Sequence, residues 1–296
     1  MRHILQYIRL VDFEIQSFMK TTGRILYILS LILLSSWGVS AADVEDETMS
    51  TWAEIERYIA QGSWEEADSA IVSILGQRTD DATDAMLLSN LGMIRHYAGN
   101  DSLAIETLTQ ANAAAPASVT ILANRAKVYT AMGRIVEAVG DYNRIELLDP
   151  SYADTYLFRG LLYLYNGFFE DALADLRHLE TLRPDKEETL IALASLYTIT
   201  DDYENANSYY TRLLSAAPCA EYFAGRAMCA LQLDRLVDAS EDIADGLQLD
   251  PDYSELYLCR AILNKKRYLT ADAHTDADRA IALGANPVRV KALLGF

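Results

Sequence analysis

Two residue types return along this chain at one spacing. Pro116, Pro150, Pro184 and Pro218 stand 34 apart, Pro251 follows after 33 and Pro287 after 36. Ala67, Ala104, Ala138, Ala172, Ala206, Ala239 and Ala273 recur at 37, 34, 34, 34, 33 and 34. A period of about 34 residues belongs to stacked helix-turn-helix units. One such unit cannot bury its apolar faces alone, so its neighbours supply the core. The composition agrees with helix rather than strand: glycine is sparse, there are only six prolines, and alanine and leucine abound. With 51% hydrophobic residues the chain is too apolar to be disordered.

Repeats starting at 48, 85, 119, 153, 187, 220 and 254 put the alanine at position 20 of each. Position 8 is small in six of them: Gly92, Ala126, Gly160, Ala194, Ala227 and Ala261. Small residues facing each other let two antiparallel helices approach, and bulky residues at positions 4, 11 and 24 fill the seams. The proline stops the second helix and drives the residue before it out of helical geometry.

This pattern resembles the tetratricopeptide repeat family. Repeat two matches it with Leu88, Leu91-Gly92, Ala104, Leu108, Ala111 and Pro116, and repeat four with Tyr156, Gly160, Tyr163, Ala172, Leu176 and Pro184. Repeat one departs most, with Ile55 where a small residue is expected and no proline; repeat seven has Asn264 and Ala277 at positions that favour aromatics. The resemblance implies an all-α fold, a right-handed α-solenoid of seven repeats over residues 48–287, closed by a short capping helix over 288–296.

The segment ahead of the repeats reads differently. Met19 to Arg24 is positive, Ile25 to Val39 is an apolar run of fifteen, and Val39-Ser40-Ala41 is small. That order is a secretory signal peptide over residues 1–41, cut near Ala41 and followed by a linker over 42–47. The rival is a retained membrane anchor, but fifteen residues broken by Ser30, Ser35 and Ser36 fall short of the ~20 that span a bilayer. Met19 reads as a more natural start, residues 1–18 then lying outside the translated chain. No cysteine near the cut offers a lipid attachment point, so a periplasmic or secreted protein is expected, and not a lipoprotein.

Removing residues 1–41 takes away Arg2, Arg9, Lys20 and Arg24 against Asp12 and Glu14, leaving 21 basic and 41 acidic side chains and a net charge of −20. Such a surface repels phosphate backbones and argues against nucleic acid. A protein or peptide partner, basic or apolar, is the expectation.

Four repeats carry arginine at position 7 where the family has leucine: Arg125, Arg159, Arg226 and Arg260. The same four carry aspartate sixteen residues later: Asp141, Asp175, Asp242 and Asp276. Both positions lie equally far from the turn, so antiparallel packing sets them level. Four ion pairs within repeats are predicted, clipping the two helices of each.

The resemblance also implies a concave face lined by the first helices. Carried over residue by residue, it holds Asn90, Met93, His96 and Tyr97 from repeat two and Asn124 and Lys127 from repeat three. Repeats four and five add Leu157, Phe158, Leu161 and Tyr165, then Ile191, Ser195 and Ile199. An apolar stretch flanked by amides suits an extended or helical peptide. Packing of Phe158 and Tyr165 against the next repeat stands beside that reading, and Trp52 is either a groove-end anchor or part of a cap. Clamps for terminal carboxylates need basic residues that the matching positions here lack.

No catalytic motif accompanies the repeats. His96, His178 and His274 fall in different repeats with no ligand at helical spacing, and no phosphate loop or nucleophile elbow is present. No enzyme activity, cofactor or metal is expected. Cys219 and Cys229 are too far apart on one helix to bridge; a Cys229–Cys259 disulfide stays open, beside the reading of both as small buried apolar groups. The sequence thus points to an exported scaffold holding a peptide or protein in its groove. The alternatives are a structural subunit of an envelope complex and an accessory module of an envelope enzyme.

Overall fold

The computed structural model describes residues 46–77 and 81–295. The expected leader, all but the end of the expected linker and Phe296 lie outside the described residues, and so does the side chain of Trp52. Among the described residues there are fifteen helices and no strand. The chain divides into two compact units, one ending at Thr155 and the other running from Tyr156 to the C-terminus. The first contains three helix pairs: α1 (Asp46–Gln61) with α2 (Trp64–Gln77), α3 (Asp81–Tyr97) with α4 (Asp101–Ala114), and α5 (Val119–Ala131) with α6 (Ile135–Leu148). The second opens within α7 (Ala153–Tyr165), which pairs with α8 (Phe169–Leu182). Three more pairs follow: α9 (Glu187–Ile199) with α10 (Tyr203–Ala216), α11 (Ala220–Gln232) with α12 (Leu236–Leu249), and α13 (Ser254–Lys266) with α14 (Thr270–Ala282). A short α15 (Pro287–Leu294) comes last. Each unit is a stack of helix pairs, the architecture of an α-solenoid.

Five of the second helices bury one stripe each, at the i, i+3, i+4 and i+7 spacing of an amphipathic helix. It comprises Ala104, Thr107, Leu108 and Ala111 in α4, and Ala138, Asp141, Tyr142 and Ile145 in α6. In α8 it is Ala172, Asp175, Leu176 and Leu179, and in α12 Ala239, Asp242, Ile243 and Gly246. All seven period-marking alanines are fully buried. The helices meet closely there: a Cβ on Gly92 would lie 2.6 Å from Leu108 Cγ, and one on Gly160 2.9 Å from Leu176 Cδ2.

Every first helix ends the same way. The corner residue takes left-handed backbone, as Gly62, Gly99, Gly133 and Gly167 in the first four repeats and as Asp201, Asp234 and Tyr268 in the last three. The next residue then donates its N–H five residues back, from Ser63 to Tyr58, Asn100 to Arg95, Arg134 to Tyr129, Phe168 to Tyr163, Asp202 to Tyr197, Arg235 to Ala230 and Leu269 to Asn264, at 2.8–2.9 Å. This is the helix-ending hydrogen bond of a Schellman motif, which satisfies a carbonyl the helix leaves open. The second helices stop where proline follows, with Ala115, Asp149, Arg183, Ala217 and Asp250 out of helical conformation.

Helix α15 packs against α13. Arg289 Nη1 lies 2.6 Å from both carboxylate oxygens of Glu255, Lys265 Nζ donates to the Leu294 carbonyl at 2.6 Å, and Val290 and Leu294 are buried. Cys229 and Cys259 are buried free thiols, and Cys219 is a half-buried one. Among the described residues no helix is long and apolar enough to cross a membrane.

Candidate functional site

The arginines and aspartates sixteen apart face each other across their helix pairs. Arg125 donates from Nε and Nη2 to Asp141 at 2.8 and 2.7 Å, and Arg159 to Asp175 at the same distances. Arg226 reaches Asp242 at 2.6 Å and Arg260 reaches Asp276 at 2.6 Å through Nη2. All four aspartates are buried. The arginine side chains differ: 13% of Arg125 is exposed, 8% of Arg159, 26% of Arg226 and 40% of Arg260. Two-pronged bonds to a carboxylate raise the Arg125, Arg226 and Arg260 guanidinium groups above their ordinary value, against the opposing pull of burial. Each pair ties together the two helices of its repeat.

Repeats two and five solve the same crossing otherwise. In repeat two Arg95, at the position where the family has tyrosine, donates to Asp68 of the preceding repeat and to Thr107, both at 2.6 Å. In repeat five Leu193 is fully buried, and Tyr209 stacks on Tyr197 with ring centroids 5.6 Å apart and planes 14° from parallel. Sequence reasoning missed Arg95; the signal available was an arginine in an aromatic position.

The expected groove residues divide into three kinds. Asn90 is exposed and Tyr97 is 38% exposed. His96 is half-buried with Nδ1 2.6 Å from Asp101 Oδ1, and its ring lies 5.4 Å from that of Tyr97. Burial pushes the Tyr97 phenol up, and it holds the half-buried Lys127 ammonium below the usual lysine range, partly offset by Asp154. In the other unit Phe158, Leu161, Tyr165, Ile191, Ser195 and Ile199 are half-buried. The remaining three, Met93, Asn124 and Leu157, belong to the packing and not to an open face. Met93 joins the core formed by Ala104, Leu108 and Val128. Asn124 Nδ2 donates to Ser89 Oγ at 3.1 Å inside the protein, which commits one of its amide N–H groups to the neighbouring helix. Leu157 is 5% exposed.

Among the described residues no group of three or more His, Cys, Asp or Glu is arranged to hold a metal ion. Burial raises the Cys229 thiol to about 12 and pushes the Cys259 thiol up as well, which keeps both protonated at neutral pH.

Residues 189–218 match the sequence profile of the tetratricopeptide repeat. Mouse sperm-associated antigen 1 is 38% identical over 80 residues, which make up 27% of this chain and 9% of that protein. The chain therefore spans only a small part of that relative's length. A tetratricopeptide repeat protein from Parabacteroides merdae superposes with a TM-score of 0.61 at 23% identity, covering 83% of this chain and 97% of the other. YrrB, described as a tetratricopeptide repeat protein with an unusual peptide-binding site, superposes with a TM-score of 0.53 at 16% identity, over 65% of this chain and all of that one. At these identities the likeness establishes the fold.

Proposed function

Taking the chain as the tetratricopeptide-repeat array that its helices and these likenesses establish, we propose that it is an exported scaffold holding a protein or peptide against its first helices. One observation carries the reading. The first helices keep side chains wholly or partly at the surface: Asn90, Tyr97 and Lys127 in one unit, Phe158, Leu161 and Ser195 in the other. Each unit offers both kinds of group that a bound chain needs, Tyr97 with Asn90 and Lys127 in one and Phe158 and Leu161 with Ser195 in the other: polar partners for its backbone and apolar cover for its side chains. YrrB offers a precedent in the same fold for peptide binding. Export rests on the leader sequence, with its positive stretch, apolar run and small residues before Ala42.

The test joins two measurements. A photo-crosslinking amino acid at position 158 should capture a partner in an envelope extract, and Phe158→Ala with Lys127→Glu should abolish capture while leaving the helical circular dichroism unchanged. Undiminished capture by that double variant would sink the proposal. Mass spectrometry of exported material should find Ala42 at the N-terminus.

A structural-subunit reading draws on α6, where Val136 is 83% and Leu147 85% exposed. It expects Val136→Ser with Leu147→Ser, and not the first-helix variants, to disrupt assembly.

A further inference from the structure

Within the unit that ends at Thr155, the start of α2 and the α3–α4 corner enclose an open cleft. Its volume is about 310 Å³ beside Gly62 and Glu66, and it continues for about 270 Å³ toward Ile94 and Leu103. Trp64, Glu65, Ala98 and Asn100 line both parts. Among the described residues, none of those expected in the groove lines it.

The lining combines three kinds of group. The Trp64 indole forms a wall, held by the Tyr97 ring with centroids 5.4 Å apart. Ile94, Ala98 and Leu103 make an aliphatic end, with Leu103 43% exposed. Charge comes from Glu65 and Glu66, exposed carboxylates with no ion-pair or hydrogen-bond partner among the described residues. Asp68 adds little net charge, because Arg95 sits 2.6 Å from it. Nor does the Asn100 side chain cap α4, which leaves its amide available.

A phosphate or carboxylate ligand would meet two negative charges here, offset only in part by the positive end of α2. A purely apolar ligand would leave those charges desolvated. What fits is an apolar stem ending in a planar cation: the stem lies on the aliphatic end, the cation stacks on the indole, and the carboxylates accept its N–H groups.

We propose that this cleft receives an arginine side chain projecting from the partner protein. It deepens the scaffold reading and rests on it, adding a second contact at the repeat corner, next to Tyr97 of the first helix. A partner engaging both places gains from linkage, since the second contact forms intramolecularly.

The probe is the peptide acetyl-Ala-Arg-Ala-Arg-Ala-amide, titrated into the full chain while the Trp64 indole N–H resonance is followed by NMR. The expected result is a saturable shift of that resonance. The double variant Glu65→Gln/Glu66→Gln should bind about tenfold more weakly or worse. Both side chains are solvent-exposed and unpartnered, so an unchanged far-UV circular dichroism spectrum should accompany it. A counterpart peptide with citrulline for arginine keeps the shape and loses the charge, and should bind as poorly. Equal binding by the citrulline peptide, unaltered affinity in the double variant, or no shift at millimolar peptide overturns the proposal. Free arginine amide binding as tightly as the peptide also overturns it, since the cleft would then be a site for small cations. Phe158→Ala should leave this titration untouched. If the peptide fails to bind while Phe158→Ala with Lys127→Glu still abolishes partner capture, the cleft falls and the scaffold stands; the opposite pair of results keeps the cleft and removes the first-helix site.

Discussion

Repeats four and five are neighbours with the same turn, the same buried alanine and opposite solutions to one problem. In repeat four a buried Arg159–Asp175 pair joins α7 to α8, with each side chain only 8% exposed. In repeat five the level is apolar: Leu193 is fully covered, and Tyr209 stacks on Tyr197. The Tyr209 hydroxyl then donates to Glu180 at 3.0 Å, and Arg212 pairs with the same carboxylate at 2.6 Å while lying over the Tyr209 ring. Polarity in repeat four is turned inward and neutralised within one helix pair, whereas in repeat five it is pushed to the rim and shared with the preceding repeat. The crossing tolerates charge or grease, provided that whichever is present is complete.

The sharpest way to break this comparison is to leave one solution half built. Leu193→Arg puts an unpaired guanidinium where repeat five has no aspartate, and a loss of about 3–5 kcal/mol is expected in urea denaturation. Adding Tyr209→Asp should recover part of it; no recovery would show that the level cannot accept the ion pair. Arg159→Leu strands the buried Asp175 and should cost about 3–5 kcal/mol, while Arg159→Leu with Asp175→Leu should fall within about 1 kcal/mol of the parent. Arg260→Leu should cost less than half as much as Arg159→Leu, because the Arg260 side chain is 40% exposed. Equal costs would mean that burial does not set the value of these clips.

Smaller effects sharpen the contrast. Thr189 in α9 is fully buried, and its hydroxyl has no hydrogen-bond partner among the described residues. Thr189→Val keeps the shape and removes that unmet group, so a gain of about 1 kcal/mol is expected by the same denaturation. The smallest effect is alkaline. Burial, aided by the bond to Glu180, raises Tyr209 to about 12. A raised folded-state value favours the protonated phenol. That contribution is complete below the ordinary tyrosine value of about 10 and is lost as pH climbs from there to the raised value. Tyr209→Phe has no such proton to lose, so its stability deficit relative to the parent should shrink across that window; a constant deficit would refute the assignment.

The repeat architecture was legible because its marks are local. The seven alanines, the prolines and the arginine–aspartate register each follow from one helix pair and its turn. The corner was equally legible and was overlooked: Gly62, Gly99, Gly133, Gly167, Asp201, Asp234 and Tyr268 recur at the same intervals as the alanines. Aspartate and tyrosine at the later corners hide the motif from a search for glycine. The candidate site was read less well because exposure on a first helix depends on what the adjacent helix presents. Ser89 takes up the amide of Asn124, and the core around Leu108 takes in Met93. Neither fact is visible at position 93 or 124. Arg95 escaped for a similar reason, since its carboxylate belongs to another repeat.

The clasp between Arg289 and Glu255 bears on how mechanical load would enter the protein. Tension applied from beyond Leu294 reaches a forked ion pair and the Lys265–carbonyl bond before it reaches any helix pair. The last helix therefore shears first, and the load then falls on the α13–α14 pair.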